Sequence, residues 1–536
     1  MEKQSRQNYF YGAAILTAGV VIMKILGAIY KIPVANIIGD EGYSMFIATY
    51  NVYNVFLTLA TAGLPVALSR LISEADAENR TMQARATFRV AMKTFFVIGA
   101  VCTLMMLFFP GQIAVRILHN PDAEASIRVM APSVLLVCLV SGYRGYCQGY
   151  SNMIPTTVGQ VLEVLTKVVV GLVLAAVIMR SGGTRAQGSA GAIFGVTAGS
   201  GIALIYMTLY KRRKYRFEDI DDPDIPDSDG RILRRFLRIG IPIAFGASAL
   251  SVLNLIDSGL CMQRLQFAAH FDLQSAQRLY GVYGKAQTLY NLPAAFITPL
   301  TISVVPAIAA ANVRGLDDDA TKISEDSLRI AAAISLPMGV GLAVLSAPIM
   351  HVVYPDSHEA GAGLLAILGI TSFFVCMVLM ENAVLQASGR EKYTMITLIT
   401  GGVVKIVINW FLVANPGINI YGAAIGSLVS YIVMMVMDFV FMCRTLDKDP
   451  NVLRILKGPV IASTAMAGTA WLLFFVASRL FRTQMGRIEM ILSMGTAIAA
   501  AVIVYAVFAI RMKAICAADM KLIPGGEKIS KLLHLR

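Results

Sequence analysis

The chain has 536 residues, of which 57% are hydrophobic and 15% are charged. Soluble proteins usually carry about 25% charged residues, and the mean hydropathy here is +0.67, so the composition excludes a water-soluble globular protein. Lysine and arginine outnumber aspartate and glutamate by 46 to 33, giving a net charge of +13. In a membrane protein such an excess of Lys and Arg indicates which loops are cytoplasmic rather than a nucleic-acid partner. We therefore expect an integral membrane protein that binds no nucleic acid.

Long apolar runs follow one another along almost the whole chain. A helix that crosses a hydrocarbon core about 30 Å thick needs roughly 20 such residues, whereas β-barrel strands would show ten-residue alternating segments. The sequence therefore predicts an all-α integral membrane fold with fourteen transmembrane helices. Their predicted bounds are 10–33, 44–69, 90–109, 129–149, 155–179, 190–210, 237–261, 281–311, 328–350, 362–385, 393–414, 420–443, 458–478 and 488–510.

The connections between these helices differ in positive charge. With the N-terminus inside, 31 Lys and Arg residues lie on the cytoplasmic side, 10 lie outside and 5 lie within predicted helices. Cytoplasmic loops carry the excess of Lys and Arg. We therefore predict that both termini are cytoplasmic.

The second half of the sequence weakly repeats the first. A shift of 238 residues places the fourth and fifth helices over the tenth and eleventh, so that Gln148 meets Gln386 and Lys167 meets Lys405. Six crossings per repeat is an even number, which predicts two parallel repeats around an axis along the membrane normal, as in many secondary transporters. The last two helices are additional.

The predicted organisation is an N-lobe at 1–210, a charged cytoplasmic linker at 211–235, a C-lobe at 236–447, and helices 13 and 14 with a basic tail at 448–536. For the linker, a solvated connection is the first interpretation, and docking of a cytoplasmic partner or of anionic headgroups is the second.

Charged residues inside the predicted helices are the most informative positions, since each costs at least about 2.5–3.5 kcal/mol unless it faces a bundle interior or a watery cavity. Lys24 and Lys31 stand seven residues apart, near one face of the first helix. Both are predicted to line a cavity, with snorkelling to the outer interface as the alternative for Lys31. Glu163 and Lys167 are four residues apart, and we expect a local pair that neutralises both charges.

The second half carries further candidates. Asp257 is the strongest candidate for the residue that binds a coupling cation or a proton. Glu381 or Asp257 is expected to reach Lys405 from a neighbouring helix. Lys285 has no evident local partner and is predicted to line the cavity.

Tyrosine and amide side chains form stripes on two predicted helices. Tyr50 and Asn54 belong to the second helix, and Tyr283, Gln287 and Tyr290 lie on one face of the eighth. Such groups suit the hydroxyls of a sugar, which predicts substrate contacts. An interfacial aromatic belt is the alternative.

No enzyme motif is found. The chain has neither a GxxxxGK[ST] phosphate loop nor an HExxH pair, and His351 and His358 fall in a short connection typical of a polar loop rather than a metal site. We expect a transporter with no catalytic residues, no metal site and no cofactor.

The stretch from Met23 to Glu74, MKILGAIYKIPVANIIGDEGYSMFIATYNVYNVFLTLATAGLPVALSRLISE, resembles the opening helices of bacterial polysaccharide-biosynthesis flippases of the stage V sporulation protein B and MurJ-like group. This group belongs to the MOP superfamily, which also holds the MATE drug exporters. The resemblance implies alternating-access transport of an undecaprenyl-diphosphate-linked saccharide, lipid II or a related cell-envelope precursor, from the inner to the outer leaflet of the bacterial cytoplasmic membrane. It implies membrane lipids and cell-wall synthesis proteins as further partners.

In that group the first, second, seventh and eighth helices line a cationic cavity, and the two final helices form a groove for the lipid tail. Lys24 matches the family's first-helix arginine in the pattern basic-x-x-Gly, which ends here at Gly27. The family's next basic position falls on Tyr30, beside Lys31. Lysine is a point charge without the fork of arginine, and it remains a workable diphosphate partner.

Two other functions compete. A MATE-like antiporter would export a cationic drug in exchange for Na+ or H+ through an uncompensated carboxylate, for which Asp257 or Glu381 qualifies. The lysines of the first helix argue against a cationic substrate. A membrane scaffold that binds cell-wall enzymes through its linker and tail is the third hypothesis. For outward movement of an anion, the membrane potential supplies about 2.3 kcal/mol per charge per 100 mV, so an ion site is not required.

Overall fold

A computed structural model describes the backbone of residues 2–214, 224–446, 450–480 and 487–512, with most side chains from Ile29 onward. Within these ranges the chain is helical, with no strand. The first seven helices are α1 (Glu2–Thr61), α2 (Leu64–Ala77), α3 (Thr81–Phe108), α4 (Pro110–Gln112), α5 (Glu124–Gly149), α6 (Ile154–Arg180) and α7 (Arg185–Lys214). A π-helical turn, Ile113–Ile117, and a 3-10 turn, Pro121–Ala123, join α4 to α5.

Ten further helices complete the described chain, with a 3-10 turn at Pro355–Ser357. They are α8 (Asp229–Phe267), α9 (Leu273–Tyr290), α10 (Leu292–Val313), α11 (Asp317–Val344), α12 (Ser346–Val353), α13 (His358–Ala387), α14 (Glu391–Leu412), α15 (Tyr421–Cys443), α16 (Val452–Leu480) and α17 (Arg487–Arg511).

Thirteen segments of the described chain are long and apolar enough to cross a membrane. Each overlaps one of the predicted segments from the second to the fourteenth, and the first predicted segment, 10–33, lies in α1. The prediction of an all-α membrane protein is therefore confirmed, and a count of fourteen is consistent with these helices.

Gly39 interrupts α1 and divides it into two helical parts. Its backbone has φ +73° and ψ −177°, a conformation that glycine adopts without the steric cost of a side chain. A Cβ at this position would also lie 3.0 Å from the Arg185 guanidinium. The connection predicted between the first two crossings is thus a break at a single residue within one helical stretch.

The predicted eighth helix, 281–311, is wrong as a single element. The structure ends α9 at Tyr290 and begins α10 at Leu292, with Pro293 in the first turn of α10. Proline is favoured at that place because the first helical N–H groups need no partner within the helix. The tyrosine stripe therefore belongs to α9, whereas the membrane-crossing candidate is α10.

The chain forms two compact units. Unit 1 comprises Met1–Phe267 and Phe271–Gly281, and unit 2 comprises Ala268–His270 and Val282–Arg536. Within unit 1, α5 and α6 both pack on α7, and within unit 2, α13 and α14 both pack on α15. The sequence repeat aligns α5 and α6 with α13 and α14, so the aligned helices pack in the same way on the helix that follows them in each unit.

Close helix contacts in both units rely on small residues, as is common where lipid rather than water surrounds the protein. A Cβ on Gly195 of α7 would lie 2.6 Å from the backbone nitrogen of Gly171 on α6. In unit 2, a Cβ on Gly339 of α11 would lie 2.7 Å from the carbonyl oxygen of Gly369 on α13. The backbones of these helix pairs therefore approach each other directly.

The charged segment predicted as a linker contributes to two helices and to a set of ion pairs. Lys211–Lys214 form the last turn of α7, and α8 begins at Asp229. Arg80 donates from Nε to Asp224 Oδ1 at 2.9 Å, and Arg235 contacts Glu74 at 2.6 Å. The described part of this segment is thus bound to the α2–α3 corner of its own chain.

Candidate functional site

Unit 1 contains a polar cavity of about 480 Å³ between α1, α2, α5, α6 and α7. Three helices contribute its polar wall at helical spacing. Positions 50, 54, 57 and 61 follow one stripe of α1, positions 141, 144 and 148 one of α5, and positions 160, 163 and 167 one of α6. Residues spaced three, four and seven apart share a helix face. The side chains that bear most on binding are Tyr50, Asn54, Arg144, Gln160, Glu163 and Lys167.

An ion pair between Arg144 and Glu163 crosses the cavity wall from α5 to α6. Arg144 Nη2 donates to Glu163 Oε2 at 2.7 Å, and the two side chains are only 13% and 20% exposed. Ser200 Oγ lies 3.5 Å from the other carboxylate oxygen. The prediction that Glu163 would pair with Lys167 is therefore wrong about the partner, because α5 brings a guanidinium closer than the neighbouring turn brings an ammonium.

Lys167 lines the cavity one turn after Glu163 on α6. Its Nζ lies 5.6 Å from the centre of the Tyr30 ring, and Glu163 interacts with it electrostatically. No carboxylate lies within 4.0 Å of it among the described residues. Counting Arg144 and Lys167 as positive and Glu163 as negative, the formal charges of the described side chains that line the cavity sum to +1.

The first-helix predictions have different outcomes. The side chain of Lys24 lies outside the described residues. Lys31 is exposed on α1 and does not line the cavity, although it is close enough to Lys167 for their like charges to interact. Tyr30, at the position where the family carries a basic residue, is 1% exposed and donates its hydroxyl to the Ala192 carbonyl at 2.7 Å.

The predicted eighth-helix residues lie on α9, and none of them lines the polar cavity. Tyr283 is fully buried, with its hydroxyl 3.2 Å from Ser427 Oγ of α15. Lys285 is 1% exposed and donates to Ser357 Oγ at 2.9 Å. Gln287 is half-buried and Tyr290 is 9% exposed. The structure therefore places these groups in helix packing, and their role in binding stays a prediction.

Unit 2 buries two carboxyl groups that are close enough for their charges to repel each other. Glu381 of α13 is 1% exposed and Asp438 of α15 is fully buried. Oε2 of Glu381 has no hydrogen-bond partner among the described residues, and the Thr397 side chain interacts with the Asp438 carboxyl. Lys405 is half-buried on α14. Buried carboxyls at such positions are candidates for a proton or a cation.

Asp257, the other predicted coupling residue, lies in unit 1 on α8. It is 6% exposed, and the thiol of Cys261, one turn later, approaches its Oδ1 at 3.9 Å. The structure thus places Asp257 and Glu381 in different compact units.

Unit 2 also contains an apolar cavity of about 430 Å³ beside the two C-terminal helices. Leu342 and Leu345 line it from the α11 side, Met466 from α16, and Ala501 and Tyr505 from α17. Tyr505 is the one of these five with a polar group, and it donates its hydroxyl to the Ala333 carbonyl. The surface presented by the two additional helices is therefore suited to a hydrocarbon chain.

Two functional candidates were missed by the sequence reasoning. Arg144 was counted among the intramembrane cations without a role, and its position four residues before Gln148 on the α5 stripe was the available signal. Asp438, an acid inside a long apolar run, was visible in the same way. Neither position indicates its partner, because the partner comes from another helix.

Residues 10–312 match the polysaccharide biosynthesis protein family, and residues 274–362 match a second family with the same description. The chain is 24% identical to the lipid II flippase MurJ of Bacillus subtilis over 87% of this chain and 89% of that protein. It is 26% identical to stage V sporulation protein B of the same organism over 78% of this chain and 81% of that protein.

Solved structures show the same fold. A lipid II flippase MurJ in an inward closed conformation superposes with a TM-score of 0.68 at 14% identity, covering 92% of this chain and 99% of that one. An inward-facing multidrug resistance MATE family transporter superposes with a TM-score of 0.65 at 17% identity, covering 81% and 98%. The chain therefore belongs to the polysaccharide biosynthesis protein family, has the fold shared by these MurJ and MATE structures, and is a multi-pass membrane protein.

Proposed function

We propose that this protein is a flippase that moves an undecaprenyl-diphosphate-linked saccharide from the inner to the outer leaflet of the bacterial cytoplasmic membrane by alternating access. The observation that carries the proposal is the polar cavity of unit 1, whose charged groups sum to +1 inside a membrane-embedded helix bundle. A diphosphate inside a membrane-spanning helix bundle needs cations beside it, because unpaired charge within the membrane is costly. Lys167 and Arg144 supply them.

The remaining polar groups of the cavity suit the sugar. Tyr50, Tyr53 and Asn54 of α1 and Gln160 of α6 present hydroxyl and amide groups beside the two cations. Hydroxyls and amides both donate and accept hydrogen bonds, which matches a saccharide. Phosphate and sugar recognition are thus adjacent within one unit.

The tail of the substrate requires an apolar surface of its own. The cavity beside α16 and α17 offers about 430 Å³ lined almost wholly by hydrocarbon. We assign it to part of the polyprenyl chain, which otherwise stays in the surrounding lipid. The similarity to MurJ and to stage V sporulation protein B supports a lipid-linked substrate, and cell-wall synthesis proteins are the partners we expect to supply or consume it.

Coupling to an ion is the second part of the proposal. Glu381 and Asp438 form a buried carboxyl pair suited to H+ or Na+, and Asp257 is a further candidate. The membrane potential contributes about 2.3 kcal/mol per charge per 100 mV to outward movement of an anion. A MATE-like cation/drug antiporter is the alternative function, and the two buried carboxyls of unit 2 are the observation that favours it.

Reconstitution into liposomes tests the proposal. A fluorescent lipid II analogue is placed in both leaflets, and dithionite added outside destroys the fluorescence of the outer leaflet. A flippase exposes the protected inner pool, so residual fluorescence falls below that of empty vesicles. We expect Lys167→Gln to slow this loss and the exposed Arg128→Gln variant to leave it unchanged. Loss no faster than in empty vesicles, together with cationic dye uptake driven by a Na+ or pH gradient, would establish the antiporter instead.

A further inference from the structure

A second, larger cavity of unit 1 combines cations with aromatic rings. It measures about 800 Å³ and lies at the end of the unit where α3 begins and α5 and α7 end. Arg85, Arg89 and Lys93 reach it from α3 and Lys211 from α7. It is separate from the polar cavity described above, because the two share no lining residue.

Aromatic rings hold one of these cations over the cavity. Lys211 Nζ lies 3.7 Å from the centre of the Phe88 ring and 5.1 Å from that of Tyr146. The Phe88 ring in turn contacts Tyr143 and Tyr146 at centroid distances of 5.6 and 4.6 Å. Cation–π contacts of this kind fix an ammonium without neutralising its charge. The positive charge of Lys211 therefore remains available to an anion.

Four of the lining side chains are cations. No carboxylate lines the cavity among the residues that the structure describes. Lys93 forms an exposed ion pair with Asp229 at 3.6 Å, so its charge is partly compensated. Arg85 is half-buried and Arg89 is exposed at the rim. The charged side chains that line the cavity in the described part of the chain are therefore all positive.

An apolar wall continues from the cations along α3. Met92, Phe96 and Val97 line the cavity about two to three turns after Arg85, and Phe96 and Val97 are more than half exposed. The same face continues with exposed Val101, Leu104 and Met105 deeper in the membrane-spanning segment. Charge near a helix end followed by an apolar stripe toward the membrane interior is the arrangement that a phospholipid needs for its headgroup and its acyl chain.

We propose that this cavity binds the phosphate headgroup of an anionic phospholipid in the leaflet at which α3 begins, which the charge distribution predicts to be the cytoplasmic one. Arg85 and Lys211 bind the phosphate, Arg89 and Lys93 add charge at the rim, and the acyl chain lies along Met92, Phe96 and Val97. The occupant is a lipid of the surrounding membrane and not the transported one. Its binding would hold the α3, α5 and α7 ends of unit 1 together.

Native mass spectrometry of the full-length protein, with phosphatidylglycerol and phosphatidylcholine of identical acyl chains, tests the site. We expect the wild type to retain phosphatidylglycerol preferentially. A Lys or Arg beside anionic lipid contributes roughly a fivefold change in affinity, so Arg85→Gln/Lys211→Gln should lower the affinity about 30-fold. The matched control Arg116→Gln/Arg128→Gln removes two exposed cations at the opposite end of unit 1 and should bind as the wild type does.

Because Arg85 is half-buried, its substitution could also disturb folding, and a second variant that changes only exposed rim residues separates the two effects. Arg89→Gln/Lys93→Gln changes rim residues and should weaken phosphatidylglycerol binding about fivefold, because Asp229 already compensates Lys93. Undecaprenyl diphosphate is measured alongside as a lipid with the same phosphate chemistry, and its binding should not change in either variant. Equal retention of the two phospholipids by the wild type, unchanged phosphatidylglycerol binding in both variants, or an equal loss of undecaprenyl diphosphate would each overturn the proposal.

Discussion

Removing one charge from the polar cavity of unit 1 should change its affinity for an anionic lipid in a direction set by the sign of that charge. The lining charges are Arg144, Lys167 and Glu163, with a sum of +1. Lys167→Gln lowers the sum to 0, and Glu163→Gln raises it to +2. Binding of undecaprenyl diphosphate should therefore weaken in the first variant and strengthen in the second.

The size of the change follows from Coulomb's law. A pair of unit charges 4 Å apart interacts by about 1 kcal/mol in bulk water and about 4 kcal/mol at the effective dielectric near a protein surface. Because these side chains are partly exposed, we expect a value toward the lower end, about 1.4 kcal/mol, which is a tenfold change in Kd. The measurement is a titration of purified protein with undecaprenyl diphosphate at low salt, where screening is weak.

The exposed pair of Glu124 and Arg128 provides matched controls. Its members are 2.8 Å apart on α5 outside the cavity, so Glu124→Gln and Arg128→Gln make the same charge changes without altering the lining. Both controls should bind as the wild type does. A change in the same direction for Lys167→Gln and Glu163→Gln, or effects as large in the controls, would refute the electrostatic argument. A cationic dye should show the opposite signs if the protein is an antiporter.

Three further changes test the packing and the tail site. Arg144→Gln should lower the free energy of unfolding in detergent by about 3 kcal/mol because it leaves a largely buried carboxylate unpaired, and adding Glu163→Gln should recover most of that loss; additive losses in the double variant would contradict this. Gly63→Ala should cost about 1–3 kcal/mol, measured in the same way, since its Cβ would overlap the backbone of α8; an unchanged stability would refute the close approach. Ala501→Trp should fill the apolar cavity and slow lipid flipping while the Kd for the water-soluble headgroup stays unchanged; unaltered flipping would exclude this cavity as the tail site.

Hydropathy and helical spacing by themselves determined the architecture and part of the site. Runs of about 20 apolar residues predict crossings because every backbone polar group must be satisfied within the membrane. The same periodicity placed Tyr50 and Asn54 on one face of α1, and Glu163 and Lys167 on one face of α6, and the structure brings all four to one cavity. These features are local, since a helix fixes which of its own residues share a side.

Contacts between helices were decided by the tertiary structure. Glu163 pairs with Arg144 of α5 instead of the neighbouring Lys167, and Glu381 lies near Asp438 of α15. Lys285 is buried and donates a hydrogen bond to Ser357. Spacing along a helix gives the direction of a side chain and leaves open what another helix places there. Packing against α5, α15 and the Pro355–Ser357 turn therefore brought charges from separate helices into one ion pair, one pair of neighbouring carboxyls and one buried hydrogen bond.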